Sequence, residues 1–239
     1  MNLTRIPPAP VERPQHLEWW RGLHDRYTKE AQAICEQHAA QTGEAAQALR
    51  RKYVKPLFGE IPTWSLFEML ARCIDTADER LFCTSQETHV LQIIEAMTAD
   101  GVANEEFILA AMVHDLGKVA LLKGELPENV LYMNELVATG APGAGLDQCT
   151  LQWNSDDLAW VRLKDHLPPE IAWLVRYHSI NIERCEPYMN ASDHDRVKRY
   201  LTPFRHYDLY SKAPYFYPKL RLEDFRPVIE KYLPPTVVF

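Results

Sequence analysis

Residues 107–118, FILAAMVHDLGK, constrain the fold of this chain more than any other stretch. An apolar run without strict alternation reads as a buried helix, and this one ends on His114 and Asp115. A histidine and an aspartate delivered together from a largely buried segment are costly unless something pairs them. A metal ion is an economical partner for both; a buried hydrogen-bonded pair is the alternative, and both readings stay open on these residues alone. The dipeptide itself says little, because His24-Asp25 and His194-Asp195 repeat it. Only His114-Asp115 follows an apolar helix, with Gly117 expected to let the chain turn away.

The rest of the chain reads as helices. Leu17, Trp20, Leu23, Tyr27, Ala31 and Ile34 recur at steps of three and four, so a helix is expected from about His16 to Tyr53, with Gly43 a possible break. Ser65 followed by Glu68 resembles a capping box opening a helix to about Asp75. Further helices are expected over 84–99, 104–114, 156–163, from the Pro168-Pro169 pair through EIAWLVRYH, over 193–212, and from Leu222 to Tyr232. Residues 123–147 are the least regular. Alternating β-type runs are nearly absent and no internal repeat stands out. The expected architecture is all-α: a proline-rich extended arm over 1–15, then a single domain over 16–239.

Composition narrows the function classes. The chain has 239 residues, 46% of them hydrophobic and 25% charged, which suits a globular domain. Its formal net charge of −7 does not favour a nucleic-acid binder working by bulk charge. The five cysteines are scattered without a CxxC, so reduced thiols in a cytosol are expected and a thiolate zinc site is not. No apolar stretch is long enough for a membrane span, and the start shows no apolar signal core. These features give the expectation of a soluble cytoplasmic monomer, with neither a membrane nor a nucleic acid as partner.

Three more polar residues fall on apolar helix faces. His89 shares its face with Ile93 and Met97; His178 shares one with Ile171, Leu174 and Val175; Asp208 shares one with Leu201 and Phe204. Singly, each reads as a satisfied core residue. Together with His114-Asp115 they form a nitrogen and oxygen set suited to iron, manganese or zinc.

The order His89, His114-Asp115, Asp208 is the minimal H…HD…D pattern of the HD-domain superfamily of metal-dependent helical proteins. The surroundings narrow the likeness: VHDLGKV, GLDQCTLQW, LPPEIAWLVRYHS, FRHYDLYSK and IEKYLPP, in this order, resemble the myo-inositol oxygenase family over about residues 45–239. The resemblance implies an HD-domain-like helical bundle holding two bridged irons. It implies His89, His114, Asp115 and Asp208 as ligands of the first iron, Asp115 bridging, and His178 on the second. It implies substrate contacts from Lys118, Ser179 and Lys212, with Asp75 or Asp78 as a substrate-facing carboxylate. Lys212, four residues after Asp208, shares its helical face, which agrees with that role; a solvated surface charge is the ordinary reading of either lysine.

One departure stands out. Where the family has tryptophan-glycine-histidine-aspartate, with the histidine on the second iron, this chain has WNSDD, which puts Ser155 at the ligand position. Asp156, Asp157 or water could fill the place; His166 is too far along the chain to do so directly. The N-terminal region shows no match to the family's substrate-clamping arm. The resemblance implies an iron oxygenase cleaving a C–C bond of a polyol or related small hydroxylated substrate with O2, Lys118 and Lys212 holding and polarising its hydroxyls. Two other readings fit parts of the pattern: a phosphohydrolase with one metal in the four-residue site, and a non-catalytic relative.

Overall fold

The computed structural model describes residues 14–78, 80–81, 84–214 and 216–239, and of residues 14–24 the backbone alone. Most of the expected proline-rich arm, residues 1–13, lies outside the described residues. Pro14 and Gln15 already belong to helix α1, Pro14–Ala39.

The fold is all-α, as expected. Helix α1 and helix α2, Gly43–Lys52, are separate, because Thr42 stops the first and caps the second by accepting a hydrogen bond from Ala45 N at 3.2 Å. Helix α3, Thr63–Leu70, corrects the capping-box expectation: Ser65 lies inside it, and its cap position is Pro62, which has no side-chain hydrogen bond to offer. It also ends at Leu70, well before Asp75. Helices α4, Gln86–Ala99, and α5, Glu105–Val113, are capped by Ser85 and Asn104, whose side chains accept from Thr88 N and Phe107 N. Helices α6, Ser155–Leu163, and α7, Pro169–Tyr177, follow the irregular stretch.

Helix α5 is apolar nearly all round, and Leu109, Ala110, Ala111, Met112 and Val113 are wholly buried, which marks it as the central rod. Val90, Ile93, Ile94 and Met97 of α4 pack with it in the core, as do Ile171, Leu174 and Val175 of α7. After Asp115 the chain continues as a 3₁₀ segment, Leu116–Lys123, packed on α6. Gly117 does not serve the turn. Its φ is not positive, and a Cβ there would lie 1.9 Å from Ser155 O, so glycine is required by the closeness of the two backbones.

Helices α8, Ile182–Cys185, and α9, Ala191–Arg196, lead into five residues of π-helix, Val197–Leu201, and then helix α10, Thr202–Tyr210. Helix α11, Arg226–Tyr232, packs on α5. Two small antiparallel ladders complete the described fold. β1, Glu60–Pro62, pairs with β4, Thr236–Val238, with Ile61 opposite Val237; β2, Leu136–Ala138, pairs with β3, Thr150–Leu151. None of the helices among the described residues is long and apolar enough to cross a membrane.

Candidate metal centre and cavity

His114 and His178 occupy equivalent places. Each is the residue just beyond a helix, α5 and α7, and each donates its Nδ1 proton to the carbonyl three residues back: His114 to Ala111 O and His178 to Val175 O, both at 2.9 Å. That bond satisfies a carbonyl at a helix end and fixes the tautomer, leaving Nε2 as the atom with a free lone pair. The two rings meet edge to face with centroids 5.0 Å apart, and Phe204 walls His114 at 5.3 Å.

His89 enters from α4 and is wholly buried, its ring centroid 5.7 Å from that of His114. Its Nε2 lies 3.0 Å from Asp208 Oδ1, and His114 Nε2 lies 3.1 Å from Asp115 Oδ2. Two donors about 2.1 Å from one ion at right angles are about 3 Å apart, so these separations suit adjacent ligands of a single cation. Ligand atoms of His89, His114 and Asp115 all fall within 4.8 Å of one another. His114 Nε2 is buried without a hydrogen-bond partner, an expensive arrangement that an ion at this place relieves. The residues therefore fit a metal of nitrogen and oxygen preference.

Asp115 reaches a second direction: its Oδ1 is 3.8 Å from His178 Nε2. Beside them, Asp156 is buried and accepts a short hydrogen bond from Ser179 Oγ, with Ser155 Oγ 3.4 Å from its other oxygen and His178 Nδ1 at 3.5 Å. Of the two aspartates that could stand in for Ser155, only Asp156 lines the cavity. Asp157 faces away into Arg50 at 2.7 Å and Arg176 at 3.4 Å, and His166 is exposed. Among the described parts of the other two His-Asp pairs, Asp25, His194 and Asp195 are exposed, so burial separates His114-Asp115 from them.

The charges compensate one another. Lys118 Nζ donates to Asp75 Oδ2 at 2.7 Å, Asp115 Oδ2 at 2.9 Å and Gln86 Oε1 at 3.0 Å. Lys212 Nζ lies 2.8 Å from Asp78 and 3.5 Å from Asp208, and Arg80 clamps Asp78 with two bonds of 2.7 and 2.8 Å. Burial is the largest influence on Asp115 and opposes its ionisation, but His114 and Lys118 outweigh it and hold the carboxyl well below its usual range. For Asp208, burial is likewise outweighed by Lys212 and His89. Both lysines stay protonated despite burial, raised by Asp115 and Asp75 around Lys118 and by Asp208 and Asp78 around Lys212. Burial, with Lys212 nearby, brings His89 down to about 4. Burial pushes the Asp156 carboxyl up.

These groups line a cavity of about 440 Å³, a size suited to a small molecule. The structure brings together the expected ligands and substrate contacts: Asp75, Lys118, Asp115, His178, Ser179, Asp208 and Lys212 line this space, and His89 and His114 lie behind it. Three participants went unrecognised in the sequence. Gln86 lies three residues before His89 on the same helix face, and Arg205 three before Asp208 on another, so helical spacing carried a signal for both. Arg80 comes from an irregular segment with no such signal. Thr28, Ala31, Gln32 and Cys35 of α1 form one wall.

In an all-α fold, a buried His-His-Asp cluster, a nearby Asp and His, and a lysine-lined cavity define a candidate metal site beside a candidate substrate site. The family model for myo-inositol oxygenase matches residues 28–130 and 128–239. The chain is 30% identical over 240 residues to a probable inositol oxygenase of Oryza sativa subsp. japonica, covering 82% of this chain and 76% of that protein. Inositol oxygenase 1 of Arabidopsis thaliana is 29% identical with the same coverage. The inositol oxygenase of Dictyostelium discoideum is 23% identical over 268 residues, 93% of this chain and 90% of that one. The chain belongs to the myo-inositol oxygenase family.

Proposed function

We propose that the protein is an iron-dependent oxygenase that uses O2 to cleave a C–C bond of a polyol, myo-inositol being the first substrate to test. The observation that carries this reading is the buried His89-His114-Asp115 cluster, its unpartnered imidazole nitrogen at the back of a cavity lined by Lys118 and Lys212. The activity is that of the inositol oxygenases to which the chain is similar.

His89, His114, Asp115 and Asp208 would hold one iron. Asp115 and His178 would contribute to a second, and Ser155 offers that ion a weaker donor than an imidazole. When bound, iron supplies the redox chemistry toward O2 and acidifies a coordinated hydroxyl. The protein's own groups do the rest. Lys118 and Lys212, kept protonated by their aspartates, act as hydrogen-bond donors to substrate hydroxyls and not as bases. Asp75 and Asp78 pin those lysines, so the donors are preorganised before substrate arrives.

The test is protein purified anaerobically after iron supplementation, assayed for iron per chain and for O2 uptake on myo-inositol, beside His114→Ala. Iron retained by the parent, lost from His114→Ala, with substrate-dependent uptake, is the expected result. Zinc or manganese retained without uptake, together with phosphoester hydrolysis, would replace the oxygenase reading with the hydrolase one. Full metal occupancy in His114→Ala would remove the site assignment.

A further inference from the structure

Among the described residues, four cations line the cavity: Arg80, Lys118, Arg205 and Lys212. Three are held by carboxylates at hydrogen-bond distance. Arg80 is clamped by Asp78, Lys118 by Asp75 and Asp115, and Lys212 by Asp78. Arg205 differs. Its one hydrogen bond among the described residues runs from Nη1 to the backbone carbonyl of Ile180 at 2.8 Å, and no carboxylate pairs with it. A guanidinium carries five donors in a planar fork, so most of its capacity is unused. The aspartates that act on it from a distance are already engaged. Asp208 has His89 at 3.0 Å and Lys212 at 3.5 Å, and Asp156 has the Ser179 hydroxyl. Burial disfavours the charged form of Arg205 without a close carboxylate to offset it.

The position is built. Arg205, Asp208, Leu209 and Lys212 follow one another at helical spacing along a single face of α10, and all four line the cavity. Tethering to Ile180 O holds the guanidinium at the His178–Ser179 side. A neutral polyol does not call for a partly buried, uncompensated cation here, whereas an oxyanion does, because guanidinium and carboxylate or phosphate match in bidentate geometry.

We propose that the substrate of this site is a hydroxylated molecule that also carries an oxyanion, a carboxylate or a phosphate ester, and that Arg205 is the specificity-determining residue that binds it. The proposal rests on the reading of this cavity as the substrate site, and it narrows the substrate class from polyol to anionic polyol.

The experiment is equilibrium titration of the anaerobic iron-loaded protein with myo-inositol, myo-inositol 1-phosphate and gluconate, for the parent, Arg205→Gln and Arg205→Lys. The expected result is that at least one anion binds roughly tenfold or more tighter than myo-inositol. Arg205→Gln removes that advantage, a loss of about ten- to a hundredfold; Arg205→Lys restores part of it. Whichever anion shows the effect identifies carboxylate or phosphate. Binding of myo-inositol as tight as either anion, an advantage that survives Arg205→Gln, or no anion binding by the parent would each overturn the proposal. Oxygen uptake separates the two readings. Uptake on myo-inositol with no preference for either anion leaves the oxygenase standing and overturns this inference. An Arg205-dependent anion preference without uptake on any of the three does the reverse.

Discussion

Gly117→Ala tests whether the backbone contact behind the metal centre is as tight as it looks. The new Cβ would stand 1.9 Å from Ser155 O, 2.7 Å from its carbonyl carbon and 2.9 Å from its Cα, where real Cβ atoms do not come under 3.0 Å. Something must retreat by about 1.1 Å, and every atom met is backbone. The α6 side has little freedom. Ser155 N is bonded to Val130 O at 2.9 Å, and Asn154 caps the helix through Asp156 N at 2.9 Å while holding Asn134. Overpacking costs roughly 1–3 kcal/mol where neighbours can shift, so about 3 kcal/mol is expected where they cannot. For a domain of this size that is a fall in Tm of roughly 6–12 °C. Gly124→Ala is the comparison: its φ of 80° is strained for alanine but nothing lies within 4 Å, and the cost should be about 1 kcal/mol. Thermal melts followed by circular dichroism, with metal content measured on the same samples, read both effects. The retreat also moves Ser155 and Asp156 away from Asp115, so metal beyond the first equivalent should be lost before the first. A Gly117→Ala protein melting within 2 °C of the parent, with unchanged metal, would refute the reasoning.

Two other perturbations address the site directly. Ser155→His should raise the affinity for a second iron at least tenfold, read by metal titration under anaerobic conditions; no change would mean that Ser155 does not stand where the second ion binds. The metal-free protein should lose stability as pH falls. His89 is lowered in the fold to about 4 from an ordinary 6.5, so the unfolded chain takes up the proton first. This contribution is full above about 6.5 and is lost progressively toward about 4; denaturant melts across that range showing no decline would contradict a neutral buried His89.

Helical periodicity made most of the fold legible, because 3.6-residue spacing is a local property that apolar side chains record directly. Ser65 misled for the same reason: a serine three residues before a glutamate satisfies the local rule, yet the chain enters α3 from β1, whose pairing with β4 sets the start. Candidate ligands were legible as polar residues on apolar faces. Their partners were not, since Lys118 with Asp75, Lys212 with Asp78 and Asp157 with Arg50 join residues far apart in the chain. For the same reason the sequence could not choose between Asp156 and Asp157, which differ by one step on a helix and face opposite environments. Gly117 was noticed but misassigned, because a glycine needed for φ and a glycine needed for closeness are the same letter.

The π-wound turn at Val197–Leu201 joins two halves of one rod. On its far side the Asn190–Asp193 capping box and the bond from Trp173 Nε1 to Asp193 at 3.0 Å anchor α9 to the core. On its near side α10 presents Arg205, Asp208 and Lys212. A π turn takes about one residue more than an α turn, so removing a single residue would restore ordinary α winding and leave the two halves close to their present phase. With α9 fixed, Asp208 would stay near His89 and all three side chains would keep facing the cavity. Lys198 and Arg199 are exposed, so their identities are replaceable. Across lineages this turn should therefore accumulate substitutions freely and tolerate the loss of one residue.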